Sequence, residues 1–293
     1  MMYTMLPENF LQLYLLLGSI FILLLSISIF FDLENGNLKF IKPLLFYGKT
    51  LGEKNVLSNF SVPKSWFYIF YVIGEVLSLI FLIMIYLTPT LITPFTSWLY
   101  LFGYSESVQS YETTLLILTC LSIHIGRRLY ETLFISVYSP STIHISHFMM
   151  GIIHYIFLPL SVLVSSSLKI SENISFSQVM FTILFVFLNY LQNGIANDFA
   201  NLRKDENNKV TNLSHKVCLN GIHKFVCCPH FLYEILIYLT LYGIGRSQNL
   251  LYFLLFVLVN QMVAAKTNQI WYKKKFSDKI EVANRKALIP FIY

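Results

Sequence analysis

The sequence predicts an all-α integral membrane protein of seven transmembrane helices, with a lumenal N-terminus and a cytosolic C-terminus. Three observations predict it. The chain has 293 residues, 56% of them hydrophobic and 12% charged, about half the charge of an average soluble domain. Seven stretches are long, apolar and nearly free of charge. The basic residues between them sort to one side.

The first stretch, Leu11 to Phe31, carries no charge. At about 1.5 Å per residue it is long enough for a hydrocarbon core of roughly 30 Å. The only charge before it is Glu8, whereas a cleaved signal peptide has a basic flank and a small-residue cleavage site, so it reads as a retained helix. The remaining stretches are Trp66–Leu87, Thr113–Val137, Phe148–Leu168, Phe176–Ile195, Phe231–Gly245 and Leu250–Ala265. The segment Leu91–Phe102, bracketed by Pro89, Pro94 and Gly103, is too short to span. Its aromatic residues suit the headgroup region as an interfacial or re-entrant piece. "GIGRSQN" between the last two stretches reads as a tight hairpin loop.

Cytosolic loops of membrane proteins are enriched in Lys and Arg. Alternating the loops from an outside N-terminus places Lys39, Lys42, Lys49, Lys54, Lys64, Arg127, Arg128, Arg203, Lys204, Lys209, Lys216, Lys224, Lys266, Lys273, Lys274, Lys275, Lys279, Arg285 and Lys286 in the cytosol. Of the 21 basic residues, Lys169 and Arg246 remain outside. A wrong span count would scramble this sorting. The net charge of +6 is therefore mainly a topology signal, reinforced by attraction to anionic lipid headgroups. Nucleic acid is not an expected partner, because no soluble basic surface with reading elements is present; membrane lipids are, and no protein partner can be inferred.

The chain reads as a single domain over residues 1–293, without repeat or low-complexity tract. The four cysteines form no CxxC pair, so no metal or redox site is expected. No GxGxxG or GxxxxGK[ST] motif is present, which excludes an argument for a soluble-type nucleotide fold.

Chemistry concentrates in four stretches. In "HIGRRLYETLF", residues 124–134, Glu131 lies four residues after Arg127 and three after Arg128, so either arginine can pair with it, and His124 shares their face. One reading is a helix whose arginines snorkel to the interface. The other is an inward-facing positive site for an anionic ligand, since ionisable groups inside spans usually face a bundle interior or wet cavity. The sequence leaves both open. In the fifth span Asn189, Asn193 and Asn197 recur every fourth residue beside Gln192 and lead into "NLRK" at 201–204, which suits either a lined pocket or interhelical hydrogen bonds. "VCCPHFLYEILIY" places Pro229 at a helix start, with His230 and Glu234 stacked one turn apart. The tail "WYKKKFSDKIEVANRKALIPFIY" interleaves aromatic and basic residues, fitting an interfacial segment or a cover over a phosphate-bearing ligand.

These stretches resemble the steroid 5α-reductase family of membrane reductases, through "WYKKKF" and the ending "NRKALIPFIY". "VPKSWFYIFYVIGE", "HIGRRLYETLFISVYS", "HISHFMMGIIHY", "NLRK" and "CCPHFLYEILIY" look most like its polyprenol (polyprenal) reductase branch. The resemblance covers most of the chain from about Val62 onward. It implies an endoplasmic reticulum membrane protein whose catalytic part is about residues 113–293, with NADPH in a cytosol-facing cavity and hydride delivery to an activated carbon–carbon double bond. It implies that Arg203 meets the cofactor, that Gln192 faces it, that Lys216 stands where the family usually has arginine, and that His230 replaces a family asparagine near the nicotinamide. Glu234 and Tyr272 match a family glutamate and a tail tyrosine. Arg127 and Arg128 complete the expected cofactor-binding set.

Departures from the family pattern count against a steroid as main substrate. Ile125 follows His124 where the steroid enzymes have tyrosine, Phe70 falls near their carbonyl-facing glutamate, and "TNQIW" and "NGIHKF" replace a histidine-rich and a glycine-rich stretch. The expected reaction is reduction of the α-isoprene double bond of a polyprenyl aldehyde or alcohol, toward the dolichol used in N-glycosylation. An enal can accept hydride at its β carbon because charge flows to oxygen, and an isolated alkene cannot. The reaction needs a donor at that oxygen and a proton for the α carbon, for which His124 and then Tyr130 are the candidates, a structural hydrogen bond being the competing role for His124. A 3-oxo-5α-steroid 4-dehydrogenase and a long-chain enoyl reductase of the same fold are the enzyme alternatives, and a seven-span receptor or transporter the non-enzyme one.

Overall fold

The computed structural model describes residues 6–31, 44, 50, 59–87, 109–166 and 172–293. The segment Leu91–Phe102 lies outside the described residues. Helix α1 spans Phe10–Phe31, α2 Tyr68–Leu87, α3 Tyr111–Tyr130, α4 Ile145–Val164, α5 Phe176–Asn201, α6 Pro229–Gly245 and α7 Gln248–Lys275. Among the described residues five of them (α1, α2, α4, α5 and α7) are long and apolar enough to cross a membrane. This is an all-α membrane protein, with one short two-stranded ladder among the described residues.

Several helices start where a side chain supplies a partner for their first free N–H groups. Asn9 accepts from the Gln12 amide at 2.9 Å. Ser110 caps α3, Ser247 caps α7, and Ser175 forms a reciprocal capping box with Gln178 at the head of α5. At α6 that place is taken by Pro229, whose missing N–H costs nothing in the first turn. The hairpin expected from "GIGRSQN" is present: α6 ends at Gly245, Arg246 turns left-handed at φ 49°, and α7 begins two residues later. Gly245 is required there, because a Cβ would lie 2.5 Å from Gln109 Nε2 and 2.6 Å from Ile117 Cδ1.

Packing runs α2 against α3 and α4, α6 against α5 and α7, and α1 against α7, with α3 touching α6. Strand β1 (Ser61–Pro63) pairs antiparallel with β2 (Thr142–His144), and Lys64 donates its amide to Ser141 O at 3.0 Å. The ladder fixes the entry of α2 beside the entry of α4. Because successive helices run in opposite directions, the start of α2, the ends of α3, α5 and α7 and the start of α6 gather at one end of the bundle.

α7 continues well past the apolar stretch Leu250–Ala265 and carries Tyr272 to that same end. The tail then folds back onto the segment before α6: Lys286 donates to Phe225 O, and Cys227 and Cys228 donate to Lys286 O and Ala287 O. Arg285, 4% exposed, donates to Cys218 O at 2.8 Å, while its own carbonyl accepts from Gln269 at 2.7 Å.

Candidate active site

The arginine cluster resolves into two roles. After α3 the chain makes one wide π turn, Glu131–Ile135, an irregularity often found at functional sites. Glu131 at its head is 1% exposed and holds both arginines. Arg127 pairs with Oε1, Arg128 with Oε2 at 2.6 Å, and Asn193 of α5 donates to Oε1 at 2.9 Å. From this shared carboxylate Arg127 turns inward and Arg128 turns toward a cavity.

Arg127 knits α3 to the amides of α5. Its Nε donates to Asn189 Oδ1 at 3.0 Å, and a terminal nitrogen donates to Gln192 Oε1. Gln192 in turn donates to His230 O at 3.0 Å and to Glu234 Oε2 at 2.6 Å on α6. Asn189 is fixed in orientation because its Nδ2 donates to Phe185 O at 2.9 Å. The amide periodicity read from the sequence thus serves hydrogen bonding between helices at Asn189 and Asn193 and lines a cavity only at Gln192. Asn197 bonds back to Asn193 on the exposed side.

His124 is fully buried within this network. Its Nδ1 meets Asn189 Oδ1 at 2.9 Å and Arg127 at 3.2 Å, and Nε2 lies 3.4 Å from Glu234 Oε1. Nδ1 is thus hydrogen-bonded, Nε2 faces the Glu234 carboxylate, and His124 is not among the residues lining the cavity. Tyr130, 56% exposed, lies on the outer face against Phe134. Neither of the two residues expected to act as acids is placed at the cavity wall.

The cavity, about 380 Å³, occupies the end of the bundle described above. Lys64, Arg128, Arg203 and Lys216 all line it, and among the described residues no carboxylate does. Gln192, His230 and Tyr272 are also in the wall. Six residues expected from the sequence to bind a cofactor (Arg128, Gln192, Arg203, Lys216, His230 and Tyr272) thus share one chamber, with Arg127 and Glu234 directly behind it. Arg203 donates to Val137 O and approaches His215 Nδ1 at 3.3 Å, tying the 136–141 segment to the loop after α5. Burial holds the Tyr138 hydroxyl, also in the wall, above its ordinary range and so keeps it a neutral donor.

Four positive side chains without a lining carboxylate suit a polyanion, and the neighbouring Tyr272, Phe199 and Phe231 offer flat apolar faces. A phosphorylated dinucleotide fits this donor set. At the other edge Phe67 lines the cavity and stacks on Phe70 at 5.3 Å. Phe70 continues into Phe148 and Tyr155, and Arg128 donates to Tyr71 at 3.1 Å. The chamber therefore joins a cationic end to an aromatic one.

Sequence reasoning missed Lys64, Tyr71, Tyr138 and His215 as members of this region. Lys64 was counted only as a topology charge, and no spacing rule connects it with Arg203; the β1–β2 ladder does. Partly buried His154 of α4 meets Tyr238 of α6 at 2.7 Å, a contact that the stretch "HISHFMMGIIHY" does not disclose.

Comparison with known proteins follows the same residues. The family described as 3-oxo-5-alpha-steroid 4-dehydrogenase matches residues 145–293. A polyprenal reductase of Caenorhabditis elegans is 34% identical over 275 residues, 87% of this chain and 88% of the relative. The polyprenal reductases of Danio rerio and Homo sapiens are 33% and 29% identical, over 84% and 85% of this chain and 85% of each relative.

Proposed function

Since the chain belongs to the steroid 5α-reductase family, we propose that it is an oxidoreductase of the endoplasmic reticulum membrane that reduces the α-isoprene double bond of polyprenal with NADPH, in the synthesis of dolichol for N-glycosylation. The observation that carries this reading is the convergence of Lys64, Arg128, Arg203 and Lys216 on one chamber that no carboxylate lines among the described residues, beside the Phe67–Phe70 aromatic cluster. In the same reading α3 and α6 are the remaining two of seven spans, the N-terminus is lumenal, and the chamber faces the cytosol.

NADPH bound here would supply hydride to the β carbon of the enal. Arg203 and Lys216 hold phosphate, and Tyr272 packs on a flat face. Gln192, fixed by Arg127 and Glu234, presents a rigid amide, and His230 stands beside it. Arg128, held by Glu131 and Tyr71, stands toward the aromatic end, where it stabilises negative charge developing on the aldehyde oxygen. His124 acts through Glu234 and Arg127 as a positioning residue. The buried Phe70 falls near the position of the steroid enzymes' carbonyl-facing glutamate, which favours an isoprenoid chain.

The test is a parallel incubation of purified protein and NADPH with polyprenal, polyprenol and a 3-oxo-4-ene steroid. Reduction of polyprenal with oxidation of NADPH is expected; a preparation that reduces the steroid and leaves both polyprenyl compounds untouched overturns the assignment.

A further inference from the structure

Outside the chamber, the fold assembles three metal-ligand side chains that the sequence keeps apart. Asp198 comes from the last turn of α5, Cys218 from the loop that follows, and His223 from a 3-10 turn ahead of α6. One ligand atom from each lies within 4.8 Å of the other two. Cys218 and His223 are buried, and Asp198 stays partly open. His223 Nε2 is buried without a hydrogen-bond partner and faces Asp198 Oδ2 at 3.9 Å. That gap is too long for a hydrogen bond. Ligands held by zinc at about 2.0–2.3 Å, however, stand roughly 3.3–3.8 Å from one another in a tetrahedron.

The geometry points to a zinc site formed by Asp198, Cys218 and His223, with water at the open fourth position on the Asp198 side. This goes beyond the reductase reading and does not depend on it. Thiolate, imidazole and carboxylate together select a borderline-soft cation over calcium or magnesium. Binding releases the Cys218 thiol proton to solvent and forms the S–Zn bond. Cys218 as a thiolate and Asp198 supply two negative charges against the dication. Arg285 stands behind Cys218, donating to its carbonyl, and is the competing source of positive charge. No local pattern marks the site, since its three ligands lie twenty and five residues apart without a CxxC or HxxxH spacing.

The site would act as a clip. It closes the loop between α5 and α6, whose Arg203, His215 and Lys216 line the chamber, onto the helix end that carries Phe199. The Phe199 ring already packs edge-on against both His223 and His230. Zinc would fix the cationic wall without touching a substrate.

Detergent-purified full-length protein is stripped with EDTA, incubated with zinc, desalted and analysed for metal by mass spectrometry. One zinc ion per chain is expected in the wild type and in Cys120→Ser, and its loss in Cys218→Ser and His223→Gln. Zinc, but not magnesium, should also raise the melting temperature of stripped wild type. Wild type that retains no more zinc than Cys218→Ser overturns the proposal and leaves Arg285 as the charge partner of the cluster. Should Cys218→Ser fail to fold, cobalt(II) decides. A thiolate-to-cobalt charge-transfer band that survives in the Cys227→Ser/Cys228→Ser variant supports the site, and its absence there overturns it.

Discussion

His124 Nε2 and Glu234 Oε1 stand 3.4 Å apart, and this pair couples α3 to α6 behind the cationic chamber. Glu234 also accepts from Gln192 at 2.6 Å, so the same carboxylate orients the amide in the chamber wall. Its partner histidine is fully buried. Through that carboxylate His124 is linked to the orientation of the Gln192 amide in the wall.

Removing one member should leave the other buried and less well partnered, a loss of about 1–3 kcal/mol for a buried polar group. His124→Leu and Glu234→Leu are each expected to lower stability strongly. The double variant should lose less than the sum of the two, with coupling above about 1 kcal/mol. Unfolding in mixed micelles measures all four proteins. Additive losses would show that the two side chains act independently.

Arg203 is the cation whose contribution to the chamber is simplest to isolate. Its guanidinium is held by Val137 O and His215, so it is in place before a ligand arrives. Loss of one charge-assisted hydrogen bond costs about 1.5–3 kcal/mol, or about a 10- to 100-fold weaker cofactor at about 1.4 kcal/mol per decade. Arg203→Ala should raise the NADPH dissociation constant by that factor, and Arg203→Lys by less. Tryptophan quenching titrations provide the measurement; an unchanged constant removes Arg203 from the cofactor site.

Much of this arrangement was legible in the sequence because helices in a membrane obey strong local rules. The apolar stretches became helices, and the spacing of Arg127, Arg128 and Glu131 placed one carboxylate within reach of both arginines. Gln192, Arg203, Lys216, His230 and Tyr272 were named from motifs and share one chamber. The two candidate acids lie away from the cavity wall for a reason that periodicity cannot supply. His124 does share the face of Arg127, yet that face is sealed by Asn189 and Glu234, whereas Tyr130 is rotated outward. Lys64 was missed because a three-residue ladder brings it in, and such a short strand has no recognisable pattern. Asp198, Cys218 and His223 meet only through the path of a loop.

The aromatic cluster at Phe70 offers a prediction about substrate. Phe70 lies 5.0 Å from Phe148 and 6.3 Å from Tyr155 by ring centroids. It fills space left open at Gly151, where a Cβ would come within 2.8 Å of the ring. Phe70→Ala should destabilise by about 3–5 kcal/mol. At temperatures where the variant stays folded, KM for polyprenal should rise several-fold while NADPH affinity is preserved. Steady-state kinetics with each ligand varied separately distinguishes this from general damage, which would weaken both.

His144 gives the fold a dependence on pH that lies outside the spans. It caps α4, its Nδ1 accepting from the Ser146 amide at 3.2 Å, so that nitrogen must carry a lone pair. A proton there removes the acceptor and sets a positive charge against the positive end of the helix dipole. Burial lowers its pKa below the ordinary histidine value, near 6.5 in free peptides. The unfolded chain therefore takes up the proton first as pH falls. The stabilisation is fully present above about pH 6.5 and is lost progressively below it, toward the depressed folded value. His144→Asn keeps a capping side chain that does not titrate. Between about pH 7.5 and pH 5.5 the wild type should lose about 1 kcal/mol more than His144→Asn, the value of one N-cap. Parallel thermal unfolding of the two proteins across that range is the check, and identical pH profiles would mean that the cap survives protonation.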